Sequence, residues 1–495
     1  MTAGTAKTAA EIRQSLREII EACDVLDKLA SLKDFKQGPA YLPAGKPVAL
    51  VKPRAAEQVR ELVELANRLD LNLVPVSSGA PHLRGDTLPG KPGVLVDLSA
   101  NEQIVRMDRR NKVAIIEPGV TFGTLKQAAE KVGLKVLMPL MPRVTKSVLA
   151  SCLEREPITI PKYHWDMTDP LLCTEVIFGS GDLFRTGSAA GPGTLEQQWA
   201  AGAAQKNPMG PAQTDLVRIV QGAPGTMGIV TWASVKLEVL PQIQRFYFAP
   251  EKHLPKLIDF TYRTLKPKLG DEFLLLNSFA LACMLGSEAE DIRDLASRQA
   301  PFTAIYGVSG LDYFPERRLA YQEKDIGSIA QACGVELKME VPGASGKKFG
   351  ELLGSPSPEP YWKTRFKGGF HDIFFLTTLD RAGFFLEKME GLAAEHRYPV
   401  EELGVYIQPI QHGRACHLEF NLSFNPEDPE ECARVQALFL AASAGLADAG
   451  AFFSRPYGPW AALAYERCPD TVAMLKTVKG IFDPAGVMNR GKLCF

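Results

Sequence analysis

The sequence predicts an α+β protein of two or three domains, and three observations carry that expectation. Residues 47–76 read strand, helix, strand. From about residue 245 the pattern changes to alternating strands and long helices. The chain has 495 residues, 46% of them hydrophobic and 23% charged, enough to bury more than one core.

In chain order, TAAEIRQSLREIIEACDVLDKLASL (residues 8–32, within the stretch 8–34) has apolar residues at helical spacing and predicts one or two amphipathic helices. QGPAYLPAGKP (37–47) is proline and glycine punctuation, a linker. VALV, AAEQVRELVELANRLD and LNLVPV then give a βαβ unit. VLVDLS (94–99) is a further strand, and VAIIEPGVTFGTLKQAAEKVG (113–133) reads strand, Pro-Gly turn, helix. CTEVIFGSGDLFRTG (173–187) predicts a hairpin around Gly-Ser-Gly-Asp. MGIVTWASVKLEVLP (227–241) is strand-rich and ends at proline. Between about 245 and 445, strands TAIYGVSGL, LGVYIQPI and HLEFNLSF alternate with helices KLIDFTYRTL and ECARVQALFLAASAGLADAG. That pattern predicts a sheet covered by helices on one face. A last helix, DTVAMLKTVKGIF, precedes DPAGVMNRGKLCF.

Several functions are disfavoured. A formal net charge of −1 gives no footprint for nucleic acid or an anionic membrane surface. No apolar run has the length of a transmembrane helix, and the first residues, MTAGTAKTAAEIRQSLREII, predict no secretory leader. The nine cysteines are dispersed with no C-x-x-C pair, which predicts neither a structural zinc nor an iron–sulfur cluster. No metal site is expected, and the cysteine usage suits a reducing cytoplasm.

The loop VSSGAPHLRGDTLP (76–89) follows the apolar strand LNLVPV. Small residues let a backbone approach a ligand, and successive N–H groups make an anion-binding concavity suited to a pyrophosphate. The loop is not G-x-G-x-x-G, so the Rossmann fingerprint does not apply. An ordinary surface turn is the alternative.

Six stretches in order resemble the FAD-linked family of vanillyl-alcohol oxidase and p-cresol methylhydroxylase, which also contains FAD-linked D-lactate dehydrogenase and the flavin subunit of glycolate oxidase. They are PVSSGAPHLRGDTLP, VLVDLS, IIEPGVTFGTL, the stretch EREPITIPKYHWDMTDPLLCTEVIFGSGDLFRTGS, PGTMGIVT and FDPAGVMNRGKL. The resemblance implies a two-part FAD-binding domain of the p-cresol methylhydroxylase type with an inserted α+β cap. The implied layout is N-terminal helices at 1–40, the FAD domain at 41–244, the cap at 245–449, and a returning segment at 450–495. By motif position, Ser77, Ser78, Gly79, Ala80, Pro81 and His82 would meet the pyrophosphate. Pro118 and Gly119 would lie at the adenine end, and Arg155, Glu156, Pro157 and Ile158 along the flavin. Gly228 and Ile229 would present backbone to the ribityl or adenine side. Lys492 matches a closing Pro-Gly-Lys pattern, with Arg490 in the proline's place. Two departures stand out: Ser-Ser-Gly-Ala-Pro where relatives have a glycine run, and SVLASCLERE, which lacks a Gly-Asn pair and carries Cys152.

The resemblance also implies hydride transfer from a substrate carbon to the flavin. Arg414-Ala415-Cys416-His417 matches an Arg-x-x-His that bears a covalent flavin link, so His417 is the candidate for covalent attachment. The alternative is a strand-edge histidine beside a non-covalent cofactor. Phenol-oxidising relatives carry a tyrosine pair where this chain has Arg84 and Ser454, the latter followed by Arg455, Pro456 and Tyr457. Two guanidinium groups suit a carboxylate, so Arg84, His417, Arg455 and Tyr457 are the catalytic candidates, with a small anionic hydroxy compound of the 2-hydroxy acid kind as substrate. Arg84 facing Asp86 or solvent is the alternative. Tyr163 and His164 are either a proton relay or packing; Trp165 and Trp362 read as cap or core aromatics, and His371 starts a strand. Two other readings remain open: a 4-alkylphenol dehydrogenase or hydroxylase, and a non-catalytic, flavoprotein-like subunit of a redox complex. Electrons would pass to an external acceptor, namely oxygen, a cytochrome, a quinone or an iron–sulfur subunit. A homo-oligomer or redox complex is possible.

Overall fold

Helix Ala9–Arg17 opens the described chain, started by a capping box in which Thr8 and Glu11 satisfy each other's backbone. The computed structural model describes residues 8–21, 25–26, 45–83, 87–163, 169–211 and 214–495. Of the one or two helices expected within 8–34, one is seen among the described residues. Val25–Leu26 is instead an edge strand, β1, antiparallel to β2 (Pro47–Val51). The βαβ unit forms as read. β2 and β3 (Leu73–Val76) both run parallel to β4 (Gly93–Asp97), which lies between them. Helix Ala56–Leu69 buries Val59, Leu62, Val63, Leu65 and Ala66 on one face, as its apolar spacing requires, and ends at Asp70 in the left-handed conformation.

The second sheet is antiparallel. It contains β5 (Ile104–Asp108), β6 (Val113–Ile116), β7 (Leu134–Val136), β8 (Leu171–Phe178), β9 (Leu183–Arg185) and β10 (Gly228–Val239). The order is β5-β6-β10-β8-β9, with β7 paired to β10. β8 and β9 form the expected hairpin. All eight residues of β8 are buried, Glu175 among them paired with Arg185.

β11 (Ile243–Glu251), β12 (Glu272–Asn277) and β13 (Phe302–Gly310) begin the inserted layer. After a short hairpin of β14 (Glu340–Val341) and β15 (Ala344–Ser345), it continues with β16 (Gly369–Thr377), β17 (Leu403–Ile410) and β18 (Ala415–Phe424). Its six-stranded antiparallel sheet has the order β11-β13-β12-β17-β18-β16. Helices Leu254–Leu265, Pro315–Cys333, Ala382–Glu395 and Pro429–Asp448 cover one face, over Phe375, Val405, Ile407, Leu418 and Phe420. Contrary to the one-face expectation, the other face is covered too. Phe246, Phe248, Leu274, Leu276 and Ile305 on that side pack against helices Ser278–Leu285, Ala289–Arg298 and Gly346–Leu353.

Two seams join the layers. Residues 159–163 lie against the cap: Phe273 donates its N–H to the Thr159 carbonyl at 3.1 Å, and His412 donates to the Pro161 carbonyl at 2.8 Å. The chain end closes the first sheet. Leu73 donates to the Val487 carbonyl at 2.8 Å and accepts from the Asn489 N–H at 2.8 Å. Asp483, 2% exposed, fixes this return by accepting the N–H groups of Val487 and Met488, both at 2.9 Å, and pairing with Lys479. Asp483→Ala would strand two buried donors and a lysine. We expect a loss of about 3–5 kcal/mol, read as a fall in denaturant midpoint with unchanged slope.

Candidate active site

Two cavities meet at the junction of the layers and share Leu83 and Phe370 in their walls. The larger is about 220 Å³. Its inner wall is backbone and small side chains: Ser77, Ser78, Pro118, Ala150, Gly222, Ala223, Gly225 and Gly228. Apolar surface comes from Leu149, Leu153, Met227 and Val230, and Asn489 and Lys492 enter from the chain end. The cap contributes His371, Asp372, Phe374 and Phe439, and the returning segment Tyr457 and Trp460. Local bonding holds this wall. Ser78 Oγ accepts the Ser147 N–H at 3.1 Å, and Ser147 Oγ donates to the Pro118 carbonyl at 2.5 Å.

The smaller cavity, about 80 Å³, is lined by charge: Arg143, Lys146, Lys363 and Arg455 against Glu156 and Glu419. Strand register builds it. Across the antiparallel ladder Phe374 and Tyr406 both lie opposite Glu419, Asp372 lies opposite Asn421, and Gln408 lies opposite His417. Paired residues share a face, so alternate residues of β16, β17 and β18 project one buried polar surface toward the first domain. Lys363 Nζ stands between Asp372, at 3.0 Å, and Glu419. Asn421 Nδ2 donates to Glu419 Oε1 at 2.8 Å. His417 is 2% exposed; its Nε2 lies 3.1 Å from Glu419 Oε2 and its Nδ1 3.4 Å from Arg455 Nη2. Burial lowers the His417 pKa, and Arg455 and Lys363 add to this while Glu419 opposes it. Arg455, 6% exposed, lies with its guanidinium 4.0 Å from the Phe374 ring centre. Among the described residues it has no carboxylate partner, whereas Lys146 and Lys363 each have two.

The sequence candidates divide. Ser77, Ser78, His82, Pro118, Gly228, Tyr457 and Lys492 line the larger cavity, and Glu156, Pro157, His417 and Arg455 the smaller. Gly79, Ala80 and Pro81 do not line either; the Gly79 N–H is taken by the Thr145 carbonyl. Gly119 is turned into its own loop, its N–H on Asn101. Ile158 and Ile229 are core residues. Arg155 braces the wall from behind, donating to the Ser454 carbonyl at 2.9 Å and closing on Gly222 where a side chain would stand. Tyr163 is buried, bonds Glu238 and lines neither cavity. Arg84, His164 and Trp165 lie outside the described residues. Sequence reasoning missed Lys363, Asp372, Glu419, Asn489 and the 222–225 turn, and held back on His371, whose pKa burial lowers to about 4. The polar–apolar alternation of HLEFN was visible, but it reads as a solvent-facing strand.

The residues around the larger cavity match a flavin dinucleotide: close backbone and a lysine for a pyrophosphate, aliphatic surface for a ring system, and a buried Asn489 Oδ1 that accepts no hydrogen bond from the described residues. Residues 47–145 match the model of an FAD binding domain, and residues 378–493 that of the FAD linked oxidases, C-terminal domain. The chain is 26% identical to D-2-hydroxyglutarate dehydrogenase of Stutzerimonas stutzeri strain A1501 over 97% of both proteins. It is 28% identical to a mitochondrial D-lactate dehydrogenase [cytochrome] of Arabidopsis thaliana over 40% of this chain and 31% of that protein's length. Its fold matches the crystal structure of substrate-bound p-cresol methylhydroxylase with a TM-score of 0.83 at 15% identity, covering 100% of this chain and 98% of that one. The chain is similar to the FAD-linked oxidoreductases of the vanillyl-alcohol oxidase and p-cresol methylhydroxylase type. It is an FAD-linked enzyme with the two-part FAD-binding fold of that type, and the reading as a non-catalytic subunit is set aside. No helix among the described residues is long and apolar enough to cross a membrane. Lys363→Met would remove the cation between two buried carboxylates, and we expect a cost of about 3–5 kcal/mol, read by thermal melting of the FAD-loaded protein.

Proposed function

We propose that this enzyme oxidises a small 2-hydroxy acid to the 2-oxo acid and passes the electrons to a separate acceptor. The observation that carries the reading is Arg455. A guanidinium buried without a carboxylate partner among the described residues is costly, and a substrate carboxylate would offset that cost with paired, charge-assisted hydrogen bonds. The surrounding cations of the smaller cavity favour the same charge.

FAD, when bound, supplies the two-electron hydride acceptor. Ser77, Ser78, Pro118, Gly228 and Lys492 hold it in the larger cavity, with His82 and Tyr457 beside it. Arg455 orients the acid, its plane fixed over Phe374. The salt-bridged face of the cap sheet excludes water from the reacting carbon. Both ring nitrogens of His417 have protein partners, Glu419 and Arg455, which supports a non-covalent flavin. The likeness in fold to p-cresol methylhydroxylase, with Tyr406 and Tyr457 in the cavity walls, favours a second reading, 4-alkylphenol oxidation. The described cysteines are all free thiols, which supports a reducing compartment such as the cytoplasm.

Two measurements test this. Acid precipitation should release yellow FAD into the supernatant; colour retained in the pellet would put His417 first as a covalent link. Steady-state assays with an artificial acceptor should show turnover of D-lactate or D-2-hydroxyglutarate, and Arg455→Met should raise KM about 10–100-fold. Turnover of 4-cresol but of no hydroxy acid would favour the second reading.

A further inference from the structure

The walls of the active site come from different layers. The larger cavity is built mainly on the first domain, while β17 and β18 of the cap give the smaller one Tyr406, His417 and Glu419. Hydride transfer needs the reacting atoms within about 3–3.5 Å, and a misplacement of about 1 Å can cost a factor of about 100 in rate. Layers of one chain move against each other unless something pins them. We propose that residues 156–163 form a strap that sets the spacing of the two walls, and that Glu272 is the positioning residue that locks this strap to the cap. The proposal rests on the chain being an FAD-linked oxidoreductase, whichever substrate it takes.

The strap touches both walls. At its start Glu156 and Pro157 line the smaller cavity. Ser151 Oγ donates to Glu156 at 2.7 Å, which ties this start to helix Val148–Leu153. Leu149, Ala150 and Leu153 of that helix line the larger cavity. Farther along, the Pro161 carbonyl accepts the His412 N–H at 2.8 Å, and the Tyr163 carbonyl accepts the Gln411 N–H at 3.3 Å. Gln411 and His412 belong to the turn that joins β17 to β18. Both are left-handed, with φ of 48° and 54°, and Gly413 follows at 86°. Side-chain-bearing residues stay in this region only where their surroundings over-determine it. The strap carbonyls supply that constraint. The same turn roots the two strands that carry Tyr406, His417 and Glu419, so fixing it places the substrate wall.

Glu272 holds the middle of the strap. It opens β12 and is 4% exposed. Its Oε1 accepts from Lys135 of β7 and from Gln244 of β11, the latter at 2.9 Å. Its Oε2 accepts from Thr159 Oγ1 at 3.3 Å. The next residue, Phe273, donates its N–H to the Thr159 carbonyl at 3.1 Å. One buried charge therefore joins strap, first domain and cap, and hydrogen bonds to a charged acceptor in such a network are the strong ones.

The consequence is a split between binding and chemistry. Tyr406, His417, Glu419 and Lys363 belong to the cap, and Arg455 is packed on its Phe374. A substrate held there travels with the cap. Looser spacing should therefore spare affinity and slow flavin reduction.

The test uses the FAD-loaded protein and stopped-flow reduction of its flavin by whichever of D-lactate, D-2-hydroxyglutarate and 4-cresol reduces the wild type. Glu272→Ala should lower the saturating rate per bound flavin by about 30–100-fold, with an apparent Kd within about threefold of wild type. Glu272→Gln keeps an acceptor oxygen and should return the rate to within about tenfold of wild type. A saturating rate within threefold of wild type in Glu272→Ala overturns the proposal, as does a loss confined to Kd. Amide hydrogen exchange of peptides spanning 271–274 and 411–413 gives a reading that needs no substrate. In Glu272→Ala both should exchange at least about tenfold faster while β18 keeps its protection; unchanged exchange in both overturns the strap. Should Glu272→Ala fail to hold FAD, Thr159→Val replaces it, because it removes a single hydroxyl from the network. Its rate should fall about three- to tenfold, and an unchanged rate with unchanged exchange overturns the proposal.

Discussion

The arrangement depends on one constraint: a polar sheet face that is buried rather than wetted. Asp372, His417, Glu419 and Asn421 project from β16 and β18 into the junction between layers, where unpaired charge is expensive. Lys363 makes this tolerable by standing between two carboxylates. Once those charges are fixed, the neighbouring ring and guanidinium have few places to go. Phe374, Tyr406 and His417 form a rigid floor, and Arg455 is pressed onto it.

Most of the fold was legible because it rests on periodicity. The 3.6-residue spacing of AAEQVRELVELANRLD, the mostly apolar LLCTEVIF and the turn in FGSGDL are all local signals, and each became the element it announced. The departure at Val25 and Leu26 has the same root. Val25 and Leu26 are apolar at helical spacing, but a free edge of the first sheet claims them as a strand. The helices on the second face of the cap were missed because β11–β13 bury both sides, a fact set by tertiary packing.

The site was legible only where a motif marked it. The serines of the 76–89 loop, Lys492 and the RACH and SRP stretches drew notice by resemblance, and members of each line a cavity wall. Glu419, Asn421 and Asp372 belong to no motif. Their alternation with Leu418, Phe420 and Ile373 is that of any half-exposed strand, and only docking against the first domain converts a wet face into a charged interior. Lys363 is harder still, a lysine in a single helical turn whose partners lie 9 and 56 residues away. Conversely, Gly119 and Ile229 sit within recognisable motifs yet serve the turn and the core, because neighbours in a motif need not face the same way.

The hydrogen bonds between Leu73 and the chain end have a consequence for biogenesis. Asn72 Oδ1 also receives the Arg490 N–H, a partner 418 residues distant. At roughly 5–20 residues per second a ribosome needs about 20–80 s to deliver it. During that interval the first sheet waits with an open edge, and the cap core lacks Phe453 and Trp460. The edge at Leu73 and the cap core are therefore both completed by the same late segment of the chain.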